Sequence, residues 1–154
     1  MKLQWSSEYE LGIQVIDNQH ERIVDYINDV DELQSRNANR SQMQQVLHCL
    51  IDYTQSHFAF EEALLEQVGY QELAEHQQLH QTFIKQIEGM HQDFLNGHDI
   101  ADQLAEVLLK WLLEHIHSDD QSYSAIVKET LLKQNPQDHS SWVKRTVGKY
   151  FGIK

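Results

Sequence analysis

The chain of 154 residues is long enough to bury a hydrophobic core in one domain without disulfide staples. Its formal net charge of −12 argues against nucleic-acid binding, because an acidic surface repels phosphate. No apolar run reaches the ~20 residues that a membrane helix needs, and a single cysteine, Cys49, with no secretion-type N-terminus leads us to expect a cytoplasmic protein.

The first sixteen residues contain Trp5, Tyr9 and Gly12 but show no helical period, which predicts an extended N-terminal arm packed on the domain. A first helix is then predicted from about Asp17 to Gln34, because apolar residues recur there at helical spacing. Its inward stripe consists of Ile16, His20, Ile23, Ile27 and Val30.

A second helix is predicted from residue 42 to about residue 67. Ser41 and Gln44 have the spacing of a capping box at its start, and Gly69 follows its end. Two polar residues, His57 and Glu61, interrupt an otherwise apolar inward face. That face consists of Val46 or Leu47, Leu50, Thr54, His57, Phe58, Glu61 and Leu65.

A third helix is predicted from about Gln71 to Leu95, where Asn96 and Gly97 favour a left-handed stop. Asp99 is a predicted cap for a fourth helix, which should run from Ile100 to about Leu132. Histidines again lie among the inward apolar residues of both helices. The third face consists of Leu73, His76, His80, Phe83, Ile84 and Ile87, and the fourth of Leu104, Val107 or Leu108, Trp111 and His115.

Four amphipathic helices of roughly 20 to 30 residues with short connections predict an all-α fold, an antiparallel up-down-up-down four-helix bundle over residues 1–136. Residues 137–154 carry a net charge of +3, from one aspartate and four basic side chains, which leaves −15 for the bundle. Helical spacing of apolar residues in this basic tail predicts a short C-terminal helix packed on or beside the bundle. Alternatively, residues 141–154 contact a protein or a membrane surface. The apolar residues of the tail are Trp142, Val143, Val147, Tyr150 and Phe151.

The polar residues on the inward faces point to a metal centre. Side chains four residues apart on a helix lie ~40° apart around its axis and can converge on one ion. One such pair is usually just two partly exposed histidines. Here, however, polar residues occupy core positions on all four helices, where burial without partners would cost several kcal/mol in total. They are His20, His57, Glu61, His76, His80 and His115.

The number and type of these residues favour two ions over one. Zinc prefers four ligands, whereas imidazoles with bridging carboxylates suit a pair of iron or manganese ions inside a bundle. A ferritin-like site uses two ExxH motifs that both face inward. Glu88 and His91 have that spacing, and so do Glu114 and His117, but His117 is predicted to face away from the core.

The order of these residues resembles the hemerythrin family, specifically its single-domain bacterial members. The pattern runs His20, His57-x-x-x-Glu61, His76-x-x-x-His80 and His115-x-x-x-x-Asp120. The resemblance covers about residues 5 to 123 and includes the stretch HFAFEE at 57–62. Gln71 departs from it, because the family often has proline there, but this position lies in a loop and affects no ligand.

The resemblance implies two non-haem irons that bind dioxygen reversibly, in an oxygen carrier, store or sensor and not in an enzyme. One iron would take His76, His80 and His115, and the other would take His20 and His57. Glu61, Asp120 and an oxo or hydroxo group would bridge them. The open coordination position would then lie on the iron with two histidines.

Two other functions fit the same bundle. A di-iron oxidase or a nitric-oxide or peroxide scavenger would need a polar, open pocket, whereas Ile23, Ile27, Phe58 and Trp111 are expected to make this one apolar. An oxygen-responsive signalling or docking module would act through the C-terminal tail.

The last ligand depends on the local helix geometry. In a regular α-helix Asp119 lies ~40° from His115 and Asp120 lies ~140° away, so periodicity alone selects Asp119. The family pattern selects Asp120, and a single π-helical turn would reconcile the two. We therefore predict a π-type turn between His115 and Asp120, with His117 and Asp119 facing away. Tyr123 is a candidate to orient a ligand, and four histidines have no predicted role: His48, His91, His98 and His139.

Overall fold

The structure, a computed structural model, describes residues 3–117, 121–133 and 136–152. These ranges contain a short 3₁₀ turn at Ser7–Tyr9, several α-helices and no β-strand. The helices are α1 (Gln14–Ser35), α2 (Arg40–Gln67), α3 (Leu73–Leu95), α4 (Ala101–His115), α5 (Gln121–Lys133) and α6 (Pro136–Phe151).

Helices α1 to α4 form a closed ring, because α1 and α3 each pack against both α2 and α4. Their predicted inward faces supply most of the hydrophobic core. Leu47, Leu50 and Leu65 of α2, for example, are fully buried. The short connections between the helices make neighbours antiparallel, so the predicted four-helix bundle is confirmed.

The N-terminal arm is anchored by side chains of α1. Asn28 Nδ2 donates to the carbonyl of Leu3 over 2.8 Å, and the Leu3 N–H donates to Asn28 Oδ1 over 2.9 Å. The buried Asp17 carboxylate accepts the N–H groups of Leu11 (2.7 Å) and Gly12 (3.0 Å). The helix therefore begins at Gln14, before the predicted start, and Asp17 in its first turn holds the end of the arm.

Two predicted helix caps are wrong. Helix α2 begins at Arg40, and the Asn39 side chain accepts the N–H of Gln42 over 2.8 Å, so Ser41 lies inside the first turn. At α4 the cap position is Ile100 and not Asp99. Ile100 makes no side-chain hydrogen bond to the start of the helix. The chain already turns before it, since the Ile100 N–H donates to the carbonyl of His98.

The other helix ends agree more closely with the sequence. Helix α3 starts at Leu73, two residues later than predicted. The predicted stop after Leu95 is confirmed, because Gly97 has a φ of +103°, which favours glycine.

The predicted fourth helix is described as α4 and α5. After His115 the next two residues, Ile116 and His117, have π-helical conformation, and the His117 side chain is exposed. Residues 118–120, and with them Asp119 and Asp120, lie outside the described residues. A π-helical segment therefore begins directly after His115, where the sequence predicts one, although Ile116 itself has α-helical φ and ψ and its N–H donates to the carbonyl of Leu112.

Helix α6 packs on the outside of α2. Trp142 and Phe151 contact Phe60, with ring centroids 5.9 and 6.3 Å apart, and Phe151 also packs on Tyr53 at 4.9 Å. Helices that could cross a bilayer are absent from the described part of the chain, since none combines enough length with enough apolar residues.

Candidate metal centre

Four helices bring the predicted inward polar residues together in the middle of the bundle. His20 comes from α1, His57 and Glu61 from α2, and His115 from the end of α4. The other two, His76 and His80 of α3, share one face because they are one turn apart. All six are buried, with at most 4% of each residue exposed. The seventh predicted ligand, Asp120, lies outside the described residues.

The Glu61 carboxylate lies between two groups of histidines. Its Oε1 atom faces three imidazoles: His76 Nε2 is the nearest, His80 Nε2 lies at 3.2 Å and His115 Nε2 at 3.4 Å. Its Oε2 atom faces His57 Nε2 at 3.4 Å. The two carboxylate oxygens thus point to different histidine groups.

Two sets of ligand atoms result, and Glu61 belongs to both. The first set is Glu61, His76, His80 and His115, and the second is His20, His57 and Glu61. Within each set the ligand atoms all lie within 4.8 Å of one another, which is close enough to surround one ion. Imidazole nitrogens and a shared carboxylate suit iron, manganese or zinc, and the donors are too numerous for one tetrahedral ion. The residues therefore fit a pair of ions side by side.

The electrostatics of the site favour cations. Burial alone would raise the pKa of the Glu61 carboxyl, but hydrogen bonds from four imidazoles outweigh burial and hold its pKa well below the ordinary value. Burial lowers the pKa of His80, whereas its hydrogen bonds to Glu61 and Glu62 outweigh this and raise the pKa. The carboxylate is therefore ionised inside a dry core, which concentrates negative charge there.

Apolar and aromatic side chains surround the site. The Phe58 ring stacks on His80 with centroids 3.9 Å apart, and the Trp111 ring stacks on His115 at 4.3 Å. Ile23 and Ile27 are buried. The two rings cover the group of His76, His80 and His115, and Phe58 also lies 5.8 Å from His57 of the other group, so the expected apolar side chains border the site.

Three side chains behind the ligands complete the site. Tyr123, which the sequence suggested as an orienting residue, donates from its buried hydroxyl to Glu61 Oε2 over 2.9 Å. Two others were missed: Gln19 Oε1 lies 2.7 Å from His57 Nδ1, and Glu62 Oε2 lies 2.9 Å from His80 Nδ1. The only sequence signal for Gln19 and Glu62 is that each directly adjoins a predicted ligand.

Three of the four unassigned histidines lie elsewhere, and the side chain of His139 lies outside the described residues. His48 and His98 are exposed, and His91 is partly buried at the surface of α3. The metal-ligand groupings found among the described residues contain none of these three histidines.

Comparisons with known proteins identify the family of the chain. The family model described as hemerythrin HHE cation binding domain matches residues 11–127. The chain is 40% identical over 152 residues to the bacteriohemerythrin of Stenotrophomonas maltophilia (strain R551-3), covering 97% of this chain and 98% of that one. It is 37% identical over 151 residues to the bacteriohemerythrin of Pseudomonas aeruginosa (strain LESB58), with the same coverage.

Solved structures show the same fold. A wild-type hemerythrin crystal structure superposes with a TM-score of 0.75 at 25% identity, covering 81% of this chain and 97% of the other. The family model, the full-length relatives and the shared fold all point to one family. The chain belongs to the hemerythrin HHE cation binding domain family.

Proposed function

We propose that this protein binds dioxygen reversibly at a non-haem di-iron centre and acts as an oxygen carrier, store or sensor. The observation that carries the proposal is the position of Glu61, whose two oxygens each face a different group of buried histidines. A carboxylate in that position suits two adjacent ions that share one ligand.

The ligands divide between the two irons according to the two sets. His76, His80 and His115 would hold one iron, His20 and His57 would hold the other, and Glu61 would bridge them. Asp120, together with an oxo or hydroxo group, is proposed as the second bridge. The π-helical conformation of Ile116 and His117 supports this choice over Asp119, because a wider turn brings a residue five positions after His115 back to the same face.

The protein around the irons determines which ligand is accepted. When bound, ferrous irons supply the electrons that dioxygen accepts. The half with His20 and His57 would give its ion fewer protein ligands than the other half, which would leave a position for a further ligand. Phe58, whose ring lies 5.8 Å from that of His57, and the buried Ile23 and Ile27, about one and two turns after His20 on α1, favour a small, neutral molecule there. These walls also exclude water. The chain's own part is to hold the irons, keep the pocket dry and limit its size.

An oxidase or a scavenger is less well supported. Such an enzyme needs room for a second substrate and a polar route for its product, whereas the described walls of the site are apolar and aromatic. We therefore propose a binding protein and not an enzyme. The free Cys49 is consistent with a cytoplasmic location.

The C-terminal segment is proposed as an addition to the bundle. Residues 1–136 would form the oxygen-binding domain, and residues 137–154 would cover α2. Contacts of Trp142 and Phe151 with Phe60 support packing as the main role of this segment, ahead of signalling or membrane docking.

The proposal is tested by loading the metal-free protein with ferrous iron under anaerobic conditions. We expect two irons per chain and oxo-bridged charge-transfer absorption bands that appear in air and disappear when oxygen is removed. Glu61→Ala should lose iron, while His98→Ala, at an exposed position, should behave as wild type. Bands that do not reverse, accompanied by continuous oxygen consumption with a reductant, would instead favour the oxidase.

A further inference from the structure

Two of the buried histidines have a polar partner on the side away from Glu61. The Nδ1 atom of His57 lies 2.7 Å from the Gln19 amide oxygen, and the Nδ1 atom of His80 lies 2.9 Å from the Glu62 carboxylate. In both cases the Nε2 atom faces Glu61. The two imidazoles therefore have the same orientation but partners of different charge.

These partners determine which imidazole nitrogen carries the proton. Gln19 Oε1 and the Glu62 carboxylate are acceptors, so each accepts the hydrogen of Nδ1, and an ion that takes the place of the hydrogen between Nε2 and Glu61 would bind at Nε2. A carboxylate accepts that hydrogen bond more strongly than a neutral amide does. The imidazole that is bonded to a carboxylate is therefore the more basic metal ligand. His80 should thus donate more electron density to a metal than His57.

The surroundings of the two partners preserve this difference. Gln19 is 4% exposed and the His57 side chain is fully buried, so little water competes for their hydrogen bond. The Glu62 side chain is 24% exposed, so its carboxylate contacts solvent as well as His80.

We propose that Gln19 and Glu62 are positioning residues that make the two halves of the metal centre unequal. The amide behind His57 leaves the half with two histidines the weaker and more electron-poor metal site, and the carboxylate behind His80 strengthens the half with three. This inference rests on the proposed function, because it assumes that the centre holds two ions. The first ion should bind at His76, His80 and His115, and the second beside His20 and His57.

The test compares stepwise metal binding and the midpoint potential among three variants. Gln19→Leu removes the acceptor on His57, Gln19→Glu replaces the amide with a carboxylate, and Glu62→Gln does the reverse at His80. Matched controls are Gln14→Glu, exposed on α1, and Glu66→Gln, exposed one turn after Glu62 on α2. Metal-free protein is titrated anaerobically with Co²⁺ and with Fe²⁺, and the potential of the iron-loaded protein is measured by spectroelectrochemistry.

Loss of an outer partner of a metal-bound histidine typically weakens metal binding about 10- to 100-fold. Gln19→Leu should therefore weaken the second binding step by about that factor and leave the first step near wild type. Gln19→Glu keeps an acceptor, so it should restore the second step and lower the midpoint potential. Glu62→Gln should weaken the first step and raise the potential, and both controls should match wild type.

Opposite shifts of the potential would not arise from a merely structural role, because both exchanges conserve size and hydrogen bonding. The inference is wrong if Gln19→Glu and Glu62→Gln shift the potential in the same direction, or if Gln19→Leu binds both ions as Gln14→Glu does. If Gln19→Leu fails to fold, the midpoint potentials of Gln19→Glu and Glu62→Gln still test the inference. A wild-type protein that binds fewer than two ions would contradict the proposed function itself.

Discussion

Glu61 is the residue on which the interior of this protein depends most. Its carboxylate is fully buried, yet it is hydrogen-bonded by Tyr123 and by imidazoles from α2, α3 and α4. An ionised carboxylate without such partners would cost several kcal/mol to bury. The partners therefore make a charged core residue compatible with folding even before a metal is bound.

This arrangement predicts an acid sensitivity of the metal-free protein. Because the pKa of Glu61 is lowered by folding, its contribution to the free energy of unfolding is complete above about pH 4.5, its ordinary value, and is lost as the pH falls through the lowered pKa. Glu61→Gln should remove that part of the pH dependence. Urea unfolding at a series of pH values should show wild type losing more stability below about pH 4.5 than the variant. Parallel pH profiles would refute this prediction.

A second prediction at this scale concerns two glycines. Gly12 has a φ of +86°, and an added Cβ would lie 2.7 Å from Lys128 Nζ, whereas nothing lies within 4 Å of a Cβ at Gly89 in α3. The end of the Lys128 side chain can move away from an added Cβ, but the strain of a positive φ at a non-glycine residue cannot be relieved as easily. Gly12→Ala should therefore destabilise the protein by about 1 kcal/mol or more, and Gly89→Ala should stabilise it by about 0.5–1 kcal/mol. Chemical denaturation of both variants measures the signs, and two variants that change stability in the same direction would contradict the argument.

Among the elements, α6 has the clearest separate role. Its aromatic residues Trp142 and Phe151 cover Phe60, which is fully buried, while Lys144 and Arg145 of the same helix are exposed. The basic side chains thus lie outward on an acidic protein, and the apolar ones extend the core beyond the four-helix ring. The helix acts as a cover for the outer face of α2.

The packing of α6 predicts a difference between its two faces. Trp142 is half-buried, so Trp142→Ala should lower the free energy of unfolding by about 2 kcal/mol, somewhat less than for a fully buried tryptophan. Lys144→Ala, on the exposed face, should stay within about 0.5 kcal/mol of wild type. Urea unfolding followed by circular dichroism measures both. A Trp142→Ala variant as stable as Lys144→Ala would mean that α6 contributes little to the stability of the bundle.

At the scale of the whole molecule, the metal ions are expected to act as part of the core. Each helix from α1 to α4 supplies at least one residue to the two ligand sets, so bound ions would cross-link the entire ring. Ions that bind only the folded state add to its stability.

Removal of iron should therefore lower the melting temperature by roughly 10 °C or more, since a ligand present at a thousand times its Kd adds about 4 kcal/mol. His80→Ala should melt near the metal-free wild type even when iron is supplied, because it lacks a ligand of the first set. His98→Ala, in the exposed turn before α4, is the matched control and should keep the full difference. Differential scanning calorimetry of iron-loaded and metal-free samples makes the comparison, and equal melting temperatures would rule out a stabilising role for the metal.

The sequence by itself determined the four helices of the bundle and which of their polar residues face inward. A helix repeats every 3.6 residues, so the positions of His20, His57 and His115 among apolar residues were enough to place them in the core. Helix starts were less predictable. Several polar residues lie near each start, and only the path of the backbone decides that Asn39 and not Ser41 accepts the free N–H.

Only the tertiary structure decided how the inward residues pair with one another. Gln19 contacts His57 although the two residues are 38 positions apart in the chain, and Glu62 of α2 contacts His80 of α3. Likewise, the division of the Glu61 oxygens between two histidine groups depends on side chains from three helices. Periodicity gives the face of each helix, but the rotation and separation of packed helices determine which atoms meet. That packing is what turns six inward polar residues into two sets of ligands with unequal surroundings.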